Sequence, residues 1–204
     1  MIKTPISHRS SSSRHLVFPF LFAMLFAAPC HAGLKEGLAA YDKADYAKAE
    51  RELTPLAEKG DAKAQNKLGR MYSLGQGVPN DARVAAEWFL KAAEQGVAEA
   101  QAMLGYMYLV GDGAPQSNGK AHEWLRKAAE QGQNYALSNL AFLYEEGKGA
   151  DRDLVLAHML YGLSGKNGNV GALKSQTAVA GKMTPAQIKE ANDLLKKWKK
   201  GSSA

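Results

Sequence analysis

The sequence predicts an all-α solenoid of stacked helix-turn-helix units, and three observations carry that prediction. A 36-residue period returns Ala64, Leu68, Tyr72, Gly75, Gly77 and Gly96 as Ala100, Leu104, Tyr108, Gly111, Gly113 and Gly132, then as Ala136, Leu140, Tyr144, Gly147, Gly149 and Gly168. Within each period, apolar residues recur at helical spacing in two separate stretches. The glycines fall where one stretch ends and the next begins. Such self-similarity marks an array in which each unit buries its apolar face only by stacking on a neighbour. Binding, not chemistry, is the expected work of such a surface.

Residues 1–32 read as a secretory signal peptide. Lys3, Arg9 and Arg14 precede the apolar run from Leu16 to Ala28, no acid occurs before Glu36, and Cys30-His31-Ala32 offers small residues at the cleavage-defining positions. Cleavage is expected after Ala32, which makes the protein periplasmic or secreted. The run is short for a membrane anchor. Pro29 before Cys30 disfavours a lipid-bearing cysteine. Cys30 is the only cysteine, so the mature chain lacks any disulfide, cysteine nucleophile or thiolate metal ligand.

Removing Lys3, Arg9 and Arg14 lowers the formal charge from +6 to +3. That surplus is too small to argue for nucleic acid. Part of it gathers in Lys196, Lys197, Trp198, Lys199 and Lys200. Such a cluster suits a solvated helix end, or weak contact with an anionic envelope surface at low salt.

Residues 33–60 predict a shorter helix pair, Leu34 to Lys43 and Tyr46 to Lys59, joined at Ala44-Asp45-Tyr46. In the first full repeat, 61–96, one helix runs from Asp61 to Leu74 on the stripe Ala64, Leu68 and Tyr72, with Gly69 placed for close approach of a partner backbone. Gly75 ends it, Gly77 and Pro79 turn the chain, and Asp81 caps a second helix with stripe Ala85, Trp88 and Ala92. Repeat two, 97–132, follows the same plan with helices Ala100 to Val110 and Lys120 to Gln131, and with Trp124 in the place of Trp88. In repeat three, 133–168, Leu160 replaces Trp, Ser164 and Gly165 replace the alanine pair, and Gly162 lies inside the helix at about 1 kcal/mol relative to Ala. A looser unit is expected there. Residues 169–204 predict a capping pair, Val170 to Val179 and a helix started by Thr184-Pro185-Ala186-Gln187, with stripe Ile188, Ala191, Leu195 and Trp198.

These residues resemble a known family. The run Ala64, Leu68, Gly69, Tyr72, Gly75, Gly77, Asp81, Ala85, Trp88, Lys91, Ala92, Ala93 and Gly96 is similar to one unit of the Sel-one-like repeats, a branch of the tetratricopeptide superfamily. The second unit matches with Ser117 or Asn118 in place of the Asp, and Met183 to Ile188 resembles the closing segment of exported bacterial members. The resemblance implies a right-handed superhelix whose first helices line a concave face that holds a peptide or protein partner. Its groove-facing offsets fall on Lys63, Asn66, Arg70 and Ser73, on Glu99, Ala102, Tyr106 and Leu109, and on Tyr135, Ser138, Phe142 and Glu145. Among these, Asn66, Arg70, Glu99, Tyr106, Leu109, Tyr135 and Phe142 are the candidate partner-binding residues. Arg70, Tyr106 and Phe142 share one offset and are expected either to line the groove or to pack between units.

Sites of other kinds are weak. Gly75-Gln76-Gly77 and Gly111-Asp112-Gly113 follow a helix and lack a phosphate-cradle lysine, so they read as turns. His122 and His158 repeat at one position without a third ligand, and no metal or cofactor is expected. No serine sits in a nucleophile elbow, and Glu145 and Glu146 diverge on a helix, so no enzyme activity is expected. The favoured function is a monomeric envelope adaptor of a Gram-negative bacterium. The alternatives are an immunity or inhibitor protein against an envelope-acting toxin or lipase and, remotely, a cell-wall or β-lactam enzyme of the kind linked to cysteine-rich relatives.

Overall fold

The structure, a computed structural model, describes residues 30–198. Most of the predicted leader, with Lys199 and Lys200, lies outside them. The described residues form ten helices and no strand: α1 (Cys30–Asp42), α2 (Tyr46–Glu58), α3 (Ala62–Leu74), α4 (Ala82–Glu94), α5 (Ala98–Val110), α6 (Asn118–Glu130), α7 (Asn134–Glu146), α8 (Leu154–Lys166), α9 (Val170–Ala180) and α10 (Pro185–Lys197). Each helix packs on the next from α1 through α9, giving the predicted all-α solenoid.

Local chemistry sets the helix ends. Asp61, Asp81 and Asp153 accept from backbone N–H groups of the following turn at 2.9 to 3.1 Å, satisfying donors that have no intrahelical partner. Ser117, not Asn118, takes this role for α6. Thr184 and Gln187 form the predicted capping box on α10. Ala44 bends the chain between α1 and α2 with a positive φ of 58°, and Asp45 then caps α2.

The core repeats with the sequence. Ala64, Ala100 and Ala136 are fully buried, as are Leu68, Leu104 and Leu140 to within 1%. On the second helices the structure corrects the expected stripe. Trp88 and Trp124 are only half-buried, each with a lysine Nζ about 4 Å from its ring centroid, at 4.2 and 4.3 Å for Lys91 and Lys127. The fully buried residues are their neighbours Phe89 and Leu125. Gly69 and Gly105 serve these side chains. A Cβ on Gly69 would lie 2.8 Å from the Phe89 ring, and one on Gly105 would lie 2.7 Å from Leu125 Cγ. The approach at Gly69 is therefore by a side chain, where a partner backbone was expected.

The third repeat is also unlike its expectation. Ala157 through Ser164 of α8 are all buried, because α7, α9 and α10 all pack against this helix. At Gly162 a Cβ would meet Gln176 Nε2 at 2.5 Å, and at Gly165 it would meet Leu173 Cδ2 at 2.2 Å. Glycine's helix propensity penalty is offset by the close packing it permits. Helix α10 leaves the repeat path and lies against α8, with Ala191 fully buried and Trp198 set beside Leu137, Leu140 and Leu160.

The second glycine of each turn joins the units. A Cβ on Gly113 would sit 2.1 Å from the Ala82 carbonyl oxygen, and one on Gly149 would sit 2.2 Å from that of Asn118. Each turn therefore docks by its backbone on the start of the preceding second helix. A buried glutamine, joined to an exposed one at the end of its own repeat, adds a polar clasp to the preceding second helix in two of the repeats. Gln65 donates to the Ala57 carbonyl and accepts from Gln95, while Gln101 donates to the Ala93 carbonyl and accepts from Gln131.

Candidate functional site

The first helices α3, α5 and α7 carry the candidate residues, and the period decides which of them meet. Position 70 of one unit faces position 99 of the next, so Arg70 Nη1 forms an ion pair with Glu99 Oε1, and Asn66 Nδ2 donates to Glu99 Oε2 at 2.8 Å. Burial alone would push the Glu99 carboxyl up. The hydrogen bonds from Asn66 and Arg70, with the charges of Arg70 and Lys67, outweigh it and hold the carboxyl below its ordinary value. One repeat further on, the same register brings Tyr106 to Tyr135, their ring centroids 5.5 Å apart and tilted by 59°. Burial, reinforced by Tyr106, pushes the Tyr135 hydroxyl up to about 12. In the third repeat the residue facing Phe142 by register is Gly171. Phe142 is half-buried against the core, and Lys148 Nζ lies 5.0 Å from its ring centroid.

The row Arg70, Tyr106 and Phe142 is thus a seam between first helices as well as a surface. Arg70 and Glu99 keep 38% of each side chain exposed, and Tyr135 is 40% exposed. One offset chosen for the groove is corrected. Asn66 and Ala102 are buried, at 5% and 1% exposure, because position 66 points at the following unit. Asn66 Oδ1 is left buried without a hydrogen-bond partner. Leu109 is half-buried against the C-terminal core. Glu145 is held by Lys182 at 2.7 Å and by the Tyr161 hydroxyl at 3.2 Å, which makes it a clasp between the third repeat and the capping segment.

Sequence reasoning missed Lys67 and Tyr41. Lys67 Nζ lies 4.4 Å from the Tyr41 ring centroid, and the Tyr41 hydroxyl donates to Gln76, which donates in turn to the Tyr46 hydroxyl. The available signal was variation at a fixed offset, Lys67, Met103 and Asn139. The repeated histidines have separate partners. His122 Nε2 lies 3.1 Å from the Tyr144 hydroxyl, and His158 Nδ1 is 3.5 Å from Gln176 Nε2. Burial lowers both imidazoles below their ordinary value, with Arg126 adding to the effect at His122.

No curated protein matches the chain. Solved structures resemble it, two of them as follows. The first is c5321, a protective antigen present in uropathogenic Escherichia coli strains and displaying an SLR fold. It is 34% identical with a TM-score of 0.66, over 71% of this chain and 32% of that one. The second is a Sel1 repeat protein from Oxalobacter formigenes, 34% identical with a TM-score of 0.65, over 70% of this chain and 59% of that one. The match therefore spans under a third of the first protein's length and under two thirds of the second's. The family description "Sel1 repeat" fits residues 62–97, 98–133 and 134–169, more than half of the chain. Repeats of this kind generally act as protein-interaction scaffolds without catalysis. With three consecutive repeats in register and their helix pairs stacked as the period requires, the chain belongs to the Sel1 repeat family.

Proposed function

We propose that this protein is a non-enzymatic adaptor of the Gram-negative envelope, released by signal-peptide cleavage after Ala32, that holds a protein or peptide partner along the exposed face of α3, α5 and α7. One observation carries the reading. The same repeat position passes from a charged pair, Arg70 with Glu99, to an aromatic pair, Tyr106 with Tyr135, and then to Phe142, which has Lys148 over its ring and no such partner from the next helix. Conserved packing would repeat one pair three times. A graded row instead suits an extended partner with a polar end and an apolar end, anchored by Arg and Tyr of the kind that dominate binding energy.

The test is a pull-down from envelope extracts with the purified protein as bait, beside the double variant Arg70→Ala, Tyr106→Ala. Loss of the same captured protein in the variant, with its thermal melt still cooperative, supports the row. Undiminished capture refutes it. Co-expression with envelope-acting toxins separates the inhibitor alternative, which predicts that one toxin is neutralised and that the same double change restores killing.

A further inference from the structure

The three repeats serve as controls for one another, and one junction lacks a side chain that the next possesses. Between the second and third repeats, His122 of α6 reaches Tyr144 of α7, 3.1 Å from its hydroxyl and edge-on to its ring at 5.3 Å. One period earlier the same two positions are Ala86 of α4 and Tyr108 of α5. Alanine cannot span that distance, and an open groove of about 1050 Å³ lies there, between α4 and the turn that follows α5. Lys120 Nζ stands 5.1 Å from the Tyr108 ring centroid, and the Tyr108 hydroxyl forms no hydrogen bond to the described residues.

Charge changes with shape. Arg126, the cation that acts on the filled junction, becomes Leu90 at the open one. The groove is lined by three acids, Asp81, Glu87 and Asp112, against one base, Arg83, with Lys120 a second cation beside the Tyr108 ring. Its floor is firm, since Gly113 rests by its backbone on Ala82. A slot that fits a planar imidazole one repeat later, and whose acids outnumber its bases, matches a planar cation.

We infer that the groove between Ala86, Tyr108 and Asp112 receives an arginine side chain of a protein partner, its guanidinium replacing the absent histidine against Tyr108 and facing Glu87 and Asp112. This site lies on the second-helix side and is independent of the Arg70 row.

The probe is the pentapeptide acetyl-Ala-Ala-Arg-Ala-Ala-amide, titrated into ¹⁵N-labelled protein, with citrulline and lysine peptides as neutral and non-planar controls. Saturating shifts of the Ala86, Asp112 and Gly113 amides are expected, with Gly147 and Gly149 still. The citrulline peptide should bind about tenfold more weakly, the loss of one charge-assisted contact. Ala86→His should abolish the shifts by filling the slot as the next repeat does. Asp112→Lys, a change at an exposed turn that leaves the core untouched, should weaken binding by about tenfold. No shift up to millimolar peptide, equal binding of citrulline or of lysine, or a titration unchanged in both variants would each overturn the assignment.

Discussion

Replacing Gly113 by alanine tests whether backbone docking of the turns joins the repeats, and Gly96 supplies the matched control. Both glycines have positive φ, 70° and 87°. A Cβ on Gly96 would meet nothing within 4 Å, whereas one on Gly113 would lie 2.1 Å from the Ala82 oxygen and 2.4 Å from its carbonyl carbon. Gly96→Ala therefore carries only the left-handed penalty, about 1–2 kcal/mol. In a chain of this size that corresponds to a fall in Tm of about 2–8 °C. Gly113→Ala adds a collision with backbone atoms that no side-chain rotation relieves, so repeats one and two must separate. The total should reach about 4 kcal/mol, in the range reserved for disrupted cores. In a solenoid the damage is local. Thermal melts followed by circular dichroism should show Gly113→Ala at least about 10 °C below the parent. Hydrogen exchange should accelerate at the start of α4 and in the α5–α6 turn. If the two variants melt within about 2 °C of each other, the contact with Ala82 does not hold the units together, and the argument from docking fails.

Other outcomes follow from the same contacts. Phe89→Ala, at a fully buried position, should destabilise by about 3–5 kcal/mol and exceed Trp88→Ala, despite the recurrence of the tryptophan; denaturant midpoints decide the order. Glu99 has a depressed folded pKa, so its stabilisation is present above the ordinary carboxylate value and lost as pH falls through the folded one. With both side chains 38% exposed it should be worth only about 0.5 kcal/mol, read as a gap between parent and Glu99→Gln at neutral pH that closes in acid. Tyr135 has a raised pKa, so its contribution is full below the ordinary tyrosine value and lost as pH rises through about 12. Absorbance titration near 295 nm should show several late-ionising tyrosines, since Tyr144 and Tyr161 are pushed up as well, and Tyr135→Phe should remove one of them.

Much of the fold was legible because a repeated sequence must solve one packing problem several times. The stripes of Ala64 and Leu68, the cap at Asp81 and the box at Thr184 each recur or follow local rules, and all are found as read, while Asp61, read as the first residue of its helix, proves to be its cap. The errors share a cause. Trp88 recurs and Phe89 does not, so periodicity favoured the wrong member of the pair for the core. Gly162 and Gly165 looked like weak points, since their value lies in Gln176 and Leu173, which are distant in sequence. At the candidate site, position was readable and partnership was not: Arg70 and Glu99 are on different units, and Asn66 is buried because of what the next unit places over it.

The sequence by itself determined the helices, their phase and their order of stacking, because helical periodicity, capping and the 36-residue repeat are properties of neighbours along the chain. Only the tertiary structure decided what each repeat position touches across a junction. That is where His122 closes a gap that Ala86 leaves open, where Arg70 meets a carboxylate while Tyr106 meets a ring, and where α10 turns back to cover α8. Those differences arise from side chains of adjoining units meeting in space, and they distinguish one surface from another on a scaffold that is otherwise the same three times over.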